Sequence, residues 1–180
     1  RHERTGNTQA VLDNYEAILA RGFAGNAHFD DAALAYAELL LREGRAEDAA
    51  RVCERALAFH EQTLLPVGSN ERPQFPNLAL LRGRALREAG RLREAADAFR
   101  ATYEDHRYAR VRDDAMAEEA EVRERLGDRG GACALWSRVA REHPCTRRGR
   151  AGRARAAACA PGETLPTYES ACRRAPRPRG

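Results

Sequence analysis

The chain has 180 residues and a net charge of +4, with 43% hydrophobic but only 6% aromatic residues. This length suits one domain or a short array of four or five helix hairpins. Much of the apolar content is alanine, which lets helices approach closely, whereas a single large core would need more bulky side chains. No period-2 pattern persists, and no run approaches the ~20 apolar residues that span a bilayer. We therefore predict an all-α protein without a membrane span.

All 31 basic residues are arginine. Arginine grips phosphates in a bidentate manner, which is one sign of nucleic-acid binding. We favour a compositional bias instead, because alanine and glycine are abundant beside arginine. The 27 acidic residues are also interspersed with the arginines along most of the chain, as on solvated helix faces. Only the carboxyl-terminal end is strongly basic.

The first predicted helix covers residues 8–21 and belongs to an amino-terminal segment, 1–29, that forms a cap or half repeat. A helix over 30–43, capped by the aspartates at its start, and a partner over 46–64 form the first hairpin. Residues 64–76 then interrupt the helical pattern with three prolines and Phe75. The remaining helices of the repeat region are predicted over 77–89, 92–106, 110–126, 130–142 and 147–160.

The predicted repeat region as a whole covers residues 30–160, with the insertion at about 64–76. The segment 161–180 forms a carboxyl-terminal cap, with a short helix at 167–174, and a basic tail. The chain starts at Arg1 rather than Met, so we expect a fragment or a processed form, and the earlier removal of a secretion signal stays open.

Three glycines recur at corresponding places between pairs of amphipathic helices: Gly44, Gly90 and Gly127. Each lies five residues ahead of an alanine. Their separations are 46 and 37 residues. Subtracting an insertion of about a dozen residues leaves units near 34 residues long. A recurring unit that cannot bury its apolar face alone is the mark of a helical-repeat array.

The repeats resemble those of the tetratricopeptide repeat (TPR) family, whose unit has glycine at the turn and alanine on its second helix. With Gly127 at the turn, Ala132, Trp136, Val139 and Pro144 fall on the second-helix positions of that family. The matching residues in the other units are Tyr36, Ala37, Leu40, Ala49, Cys53, Ala56, Gly83, Leu86, Ala95 and Phe99. The resemblance implies a right-handed TPR-like solenoid of antiparallel helix hairpins with about 8–9 helices.

Three positions depart from the family pattern. Arg82 and Arg123 stand where the family prefers large apolar residues, and Thr102 replaces a usual alanine. A narrower likeness concerns the linkers around Tyr108 and around His143, which resemble those of bacterial envelope TPR proteins. These include the lipoprotein of the outer-membrane β-barrel assembly machine and the periplasmic Tol-Pal coordinator. This likeness favours an envelope location.

Four of the five cysteines lie in the last third of the chain: Cys133, Cys145, Cys159 and Cys172. If helices 130–142 and 147–159 are antiparallel, positions 133 and 159 come side by side, within the ~5.5 Å Cα separation of a disulfide. The partner bridge Cys145–Cys172 would then tie the tail to the same hairpin. We favour these two bridges over free thiols and over zinc, whose ligands usually arrive as close pairs. Cys53 is predicted to be buried.

No arrangement of residues points to catalysis, a metal or a cofactor. The chain lacks H-E-x-x-H, G-x-S-x-G and a phosphate-binding glycine loop. Three acidic pairs are assigned to helix starts, where carboxylates complement the helix dipole: Asp30–Asp31, Asp113–Asp114 and Glu118–Glu119. We therefore predict that the protein is not an enzyme and has no small-molecule substrate.

A TPR-type array binds a protein or peptide in the groove of its first helices, which we call the A helices. The predicted contact residues in that groove are Glu38, Arg42, Asn77, Arg84, Arg87, Asp114, Glu121 and Glu124. Arg84 and Arg87 could clamp a carboxylate or a peptide backbone. Phe75 in the insertion is a further candidate contact.

The leading hypothesis is a non-catalytic scaffold in a bacterial envelope or secreted assembly, located in the periplasm, at the outer membrane or outside the cell. It would meet a membrane only through a partner or a lost anchor, and nucleic acid is not the favoured partner. Two alternatives stay open. One is a basic cytoplasmic adaptor that associates with nucleic acid or an acidic protein. The other is a regulatory domain cut from a larger enzyme.

Overall fold

The structure is a computed structural model that describes residues 2–21, 28–59, 74–159, 162 and 164–172, with side chains from residue 9 onward. Regular structure in these ranges is entirely helical, as the sequence predicts. The helices are α1 (His2–Ala20), α2 (Phe29–Arg42), α3 (Ala46–Leu57), α4 (Phe75–Glu88), α5 (Leu92–Asp105), α6 (Arg112–Arg125), α7 (Arg129–Glu142), α8 (Arg147–Cys159) and α9 (Tyr168–Cys172). None of these helices is both long and apolar enough to cross a membrane.

The three recurring glycines form the turns between paired helices. Gly44, Gly90 and Gly127 have φ angles of +76°, +78° and +81°, in the left-handed region that glycine enters without steric cost. At the first turn, the N–H of Gly44 donates to the carbonyl of Leu41 and the N–H of Arg45 donates to that of Leu40. These bonds satisfy carbonyls at the end of α2, so the glycine ends one helix and permits the next. The predicted hairpin turns are confirmed.

The chain divides into two compact units, unit 1 (Arg1–Ala98) and unit 2 (Phe99–Gly180). In unit 1, α2 packs against α1, α3 and α4, and α3 packs against α4. The core joins small and bulky side chains, as the repeat pattern predicts, and the ring of Tyr15 stacks on that of Tyr36 at 5.6 Å. Buried residues in unit 1 include Ala33, Ala37, Leu40, Ala49, Cys53, Ala56, Leu78 and Leu86.

In unit 2, α7 packs against both α6 and α8, and α6 also contacts α8. Trp136 and Val139 of α7 fill the space between these helices. The packing face of α8 consists of Gly149, Gly152 and Ala156 and contains no bulky side chain. A Cβ on Gly149 would overlap the carbonyl oxygen of His143. The backbone of α8 therefore lies directly against the end of α7, and glycine allows that approach.

Several predicted helix ends are wrong in their positions, and α1 begins at His2 rather than at residue 8. α3 ends at Leu57 rather than near residue 64, because Phe59 turns inward and packs edge-on against Phe29 with ring centroids 5.1 Å apart. α4 begins at Phe75, two residues earlier than predicted, with Pro76 in its first turn, where a missing N–H costs nothing. Residues 60–73 of the predicted insertion lie outside the described residues.

The acidic pairs at helix starts are confirmed only in part. Asp113 and Asp114 lie in the first turn of α6. Asp30 and Asp31 likewise lie in the first turn of α2, but neither caps it, because the N-cap position is His28 without a side-chain cap. Asp31 accepts a hydrogen bond of 2.9 Å from Gln74. The assignment of Glu118–Glu119 to a helix start is wrong, because both lie in the middle of α6 and are buried. Side-chain N-caps that the sequence did not reveal include Asp128, which accepts from the N–H of Gly131, and Thr146, which accepts from the N–H of Gly149 at the start of α8.

Candidate interaction surfaces

The buried carboxylate of Glu119 is the most enclosed charge that the structure describes. Its side chain has no exposed surface. It accepts hydrogen bonds from the Tyr103 hydroxyl at 2.8 Å, from Nε of Arg123 at 2.7 Å and from Nη2 of Arg100 at 3.1 Å. Burial and the neighbouring carboxylate raise the pKa of Tyr103 well above its usual value. This cluster joins α5 to α6, so it is a structural feature rather than a binding site.

The departures from the TPR pattern at Arg82 and Arg123 have a physical explanation. Arg123 bonds Glu119 and also lies 2.6 Å from the carboxylate of Asp128 at the start of α7. Arg82 of α4 lies 3.0 Å from the carboxylate of Glu54 on α3. Ion pairs between neighbouring helices thus replace the apolar contacts that the family uses at these two positions.

Arg148 of α8 is directed at a row of carboxylates on α6. Its guanidinium lies 2.7 Å from Asp114, 3.4 Å from Glu118 and 3.4 Å from Glu121. The three acidic residues follow the spacing i, i+4, i+7, which places them along one face of a helix. This face of α6, which we call the acidic row, is therefore covered by an arginine of the same chain.

Arg155 makes a second connection between α8 and α6. It lies 2.6 Å from the carboxylate of Glu124 and stacks over the ring of Trp136 at 5.1 Å. Glu124 also accepts a 2.8 Å hydrogen bond from the indole N–H of Trp136. Of the predicted contact residues in unit 2, Asp114, Glu121 and Glu124 are thus brought together, and each is engaged by α8.

The predicted contact residues of unit 1 lie on two A helices that touch each other. Glu38 and Arg42 are exposed on α2, whereas Arg84 and Arg87 are half-buried on α4. Asn77, at the start of α4, donates a hydrogen bond of 2.8 Å to Gln74. The A-helix surface of unit 1, formed by α2 and α4, therefore presents both signs of charge.

Phe75 offers no surface for a partner. Its side chain is completely buried at the first position of α4. An aromatic residue beside prolines had indicated an exposed loop contact. The sequence did contain the opposing signal, since Pro76 in the first turn of a helix allows the helix to start at Phe75.

Both predicted disulfides are present in unit 2. Cys133–Cys159 joins α7 to α8 with a Cα separation of 5.8 Å, and Cys145–Cys172 joins the α7–α8 loop to α9 with a Cα separation of 5.5 Å. Cys53 is a free cysteine and is completely buried, as predicted. Burial raises the pKa of its thiol to about 12, so it is unreactive at neutral pH. The described residues contain no group of three or more His, Cys, Asp or Glu side chains that could hold a metal ion.

A cleft of about 640 Å³ lies at the carboxyl-terminal end of α5. Its lining residues are Tyr103, Glu104, Asp105, Arg107, Tyr108, Arg112 and Arg138. Two of its cations share one carboxylate, because Arg112 lies 2.7 Å and Arg138 2.6 Å from Glu142. The fully exposed ring of Tyr108 is its most accessible feature. The sequence analysis did not identify this cleft, which depends on side chains from three helices.

No protein-family model and no curated protein matches the chain. The chain is similar to solved structures of nearly identical TPR-like repeats from a candidate kinesin light chain of Podosopora anserina. For one, the TM-score is 0.64 at 17% identity, over 94% of this chain and 82% of that chain. A variant of the same protein with a single substitution gives 0.64 at 16% identity, over 94% and 81%.

At this identity the likeness concerns the fold. The described residues form about nine helices, packed as consecutive antiparallel pairs in an all-α, TPR-like repeat fold. Stacked helical repeats create extended concave binding surfaces. The similar structures come from a fungal protein, so they lend no support to the narrower likeness to bacterial envelope proteins.

Proposed function

We propose that this protein is a non-catalytic scaffold that binds a protein or peptide through the A-helix surface of unit 1. The observation that carries the proposal is a contrast between the two units. Arg148 covers the acidic row of α6 and Arg155 pairs with Glu124, whereas Glu38 and Arg42 of α2 are exposed. A partner that carries both charge signs would suit the surface of unit 1.

We further propose that the scaffold works in an oxidising compartment, such as the bacterial envelope or the extracellular space. The support is the pair of disulfides, since such bonds persist mainly outside the cytosol. The test is a count of free thiols by alkylation and intact mass on protein isolated from its host under non-reducing conditions. One free thiol supports this location, whereas five free thiols would reject it and favour an intracellular adaptor.

The binding surface is tested with two double variants that remove the same types of charge. Glu38→Ala with Arg42→Ala alters the proposed surface, and Glu169→Ala with Arg129→Ala alters exposed positions of unit 2. Partners are first captured from host extract by chemical cross-linking and then purified. We expect the affinity of the purified partner to fall at least tenfold for the first variant and to stay within about twofold for the second. Equal affinities for both variants would refute the proposed surface.

The competing nucleic-acid adaptor makes a different prediction. Binding of DNA or RNA releases counterions, so its affinity falls steeply as salt rises from 50 to 200 mM. Titration of a labelled single-stranded oligonucleotide over this range separates the two functions. We expect no saturable binding at 150 mM salt. A tight complex with a steep salt dependence would favour the adaptor instead.

A further inference from the structure

Helix α8 carries five arginines and no acidic residue. Its packing face, Gly149–Gly152–Ala156, divides these arginines into two flanks. At about 100° per residue, Arg148 and Arg155 lie roughly 80° to one side of the packing face. Arg150 and Arg153 lie roughly 70–130° to the other side, and Arg147 lies roughly opposite the packing face, next to Arg150. The flank of Arg148 and Arg155 contacts α6, and we call it the inner flank. The other flank, which we call the outer flank, faces away from α6.

The contacts of the inner flank show that arginines on one side of α8 bind the carboxylates of a neighbouring helix. Arg148 meets carboxylates at positions 114, 118 and 121 of α6, and Arg155 meets Glu124. Within this chain, α8 therefore already docks beside an acidic helix through arginines that project from one side. The small residues of its packing face lie against α7, whereas the guanidinium groups of Arg148 and Arg155 reach α6.

The outer flank, formed by Arg147, Arg150 and Arg153, carries the same chemistry on an exposed surface. Arg147 and Arg153 are exposed and make no hydrogen bond or ion pair with the described part of the chain. Arg150 is exposed as well and stacks over the ring of Tyr168 at 5.6 Å. Ala154 and Ala157, also exposed, lie beside these arginines and would allow a second helix to approach closely.

We propose that the outer flank of α8, formed by Arg147, Arg150 and Arg153, is a docking surface for an acidic helix of a partner protein. The occupant would present carboxylates at the i, i+4, i+7 spacing of the acidic row of α6. Nucleic acid fits less well, because base stacking needs free aromatic faces. Tyr168 is an aromatic side chain on this surface, and Arg150 already stacks over its ring. This surface lies in unit 2 and is separate from the surface proposed above in unit 1.

The test uses the full chain and a synthetic alanine-based helical peptide with glutamate at i, i+4 and i+7 over 18 residues. A peptide with glutamine at the same positions is the control. Binding is followed by fluorescence anisotropy at 50 and 300 mM NaCl. Exposed ion pairs are individually weak and screened by salt. We therefore expect saturable binding of the glutamate peptide at low salt, with at least tenfold weaker binding at high salt.

The matched variants change the same number of charges. Arg150→Glu with Arg153→Glu alters the outer flank, whereas Arg93→Glu with Arg129→Glu alters two exposed arginines in the first turns of α5 and α7. We expect the first variant to lose at least tenfold in affinity and the second to change by less than twofold. A peptide with lysine in place of glutamate should bind the first variant and not the wild-type chain.

Three results would overturn the proposal. They are equal affinity of both variants for the glutamate peptide, equal binding of the glutamine peptide, and tighter binding of a single-stranded oligonucleotide that the outer-flank variant abolishes. The last result would replace the acidic helix by nucleic acid. Loss of partner binding in the Glu38→Ala, Arg42→Ala variant bears on unit 1, so the two proposals can fail independently.

Discussion

The hydroxyl of Tyr103 on α5 donates a hydrogen bond of 2.8 Å to the carboxylate of Glu119 on α6, and both side chains are buried. Arg100 and Arg123 complete the cluster around the same carboxylate. A buried carboxylate is tolerated only when its oxygens are fully hydrogen-bonded. The cluster therefore fixes how α5 meets α6 more strictly than apolar contacts would.

Replacement of Glu119 should strongly destabilise unit 2. Glu119→Ala removes the acceptor that Arg100, Arg123 and the buried Tyr103 hydroxyl share, and we expect a loss of about 3–5 kcal/mol in the free energy of unfolding. Tyr103→Phe should cost about 1–2 kcal/mol, since it removes one hydrogen bond to the carboxylate. Urea unfolding followed by Trp136 fluorescence measures both, because this tryptophan is buried in unit 2. The exposed Glu104→Ala variant is the control and should stay within about 0.5 kcal/mol.

Gly149 should tolerate no larger residue. The Cβ of Gly149→Ala would overlap the carbonyl of His143, so we expect a loss of about 3 kcal/mol despite the better helix propensity of alanine. Gly130→Ala is the matched control, because a Cβ there meets nothing within 4 Å in α7. That substitution should stabilise by up to about 1 kcal/mol. Similar melting temperatures for the two variants would contradict the close approach of α8 to α7.

Arg148 should contribute more to stability than its neighbour in sequence. Arg148→Ala removes the cation that faces Asp114, Glu118 and Glu121, and we expect a loss of about 2 kcal/mol, reduced from the fully buried case by partial solvent exposure. The exposed Arg147→Ala should change stability by less than about 0.5 kcal/mol. The difference between the two variants should shrink in 0.5 M NaCl. Equal unfolding free energies would show that the acidic row does not depend on α8.

Unit 2 should lose stability as the pH falls below neutral. Nη1 of Arg112 lies 3.1 Å from Nε2 of His143 and must donate to it, because arginine has no acceptor. Burial, with a further contribution from Arg112, lowers the pKa of His143. As the pH falls, His143 therefore takes up a proton at a higher pH in the unfolded chain than in the folded one. The contribution of this residue to the free energy of unfolding is full above pH ~6.5 and declines as the pH falls toward the folded-state pKa. Melting temperatures between pH 7.5 and 5 measure this, and His143→Gln should flatten the profile.

Each disulfide should stabilise unit 2 by a similar amount. The bridges close loops of 26 and 27 residues, for which the chain-entropy model gives about 3.5 kcal/mol each. Cys133→Ser with Cys159→Ser, and Cys145→Ser with Cys172→Ser, can be compared by urea unfolding. Because α8 buries only glycine and alanine, we expect the two substitutions that remove Cys133–Cys159 also to detach α8 from α7. Hydrogen exchange over 147–159 would detect this, and unchanged protection would contradict it.

The sequence predicts those features that depend on one backbone constraint or one helix pair. Gly44, Gly90 and Gly127 could be recognised because a left-handed turn strongly favours glycine wherever the chain reverses. Cys133 and Cys159 could be paired because two antiparallel helices bring those positions side by side. Both inferences need only local geometry and the pattern along the chain.

The features that the sequence analysis missed depend on more than one helix. The role of Glu119 requires Tyr103 and Arg100, which belong to a neighbouring helix and leave no periodic trace in α6. Residues 115–120 of α6 are all buried, including two glutamates, so the burial of that helix could not be read from the polar pattern of its acidic row. The engagement of Asp114 and Glu121 by Arg148 is likewise a property of packed helices, and their sequence positions alone indicated an open groove.

The two disulfides overlap along the chain, since the order is Cys133, Cys145, Cys159 and Cys172. Cysteines that are neighbours in sequence are separated by helices. Cys133 and Cys145 would be about 18 Å apart along α7, and Cys145 and Cys159 about 21 Å apart along α8. Neither distance can be bridged, yet these are the pairs that a disordered chain would join most often. The correct pairing must therefore be selected by helices that have already docked. Disulfide formation thus follows the folding of unit 2 and does not guide it.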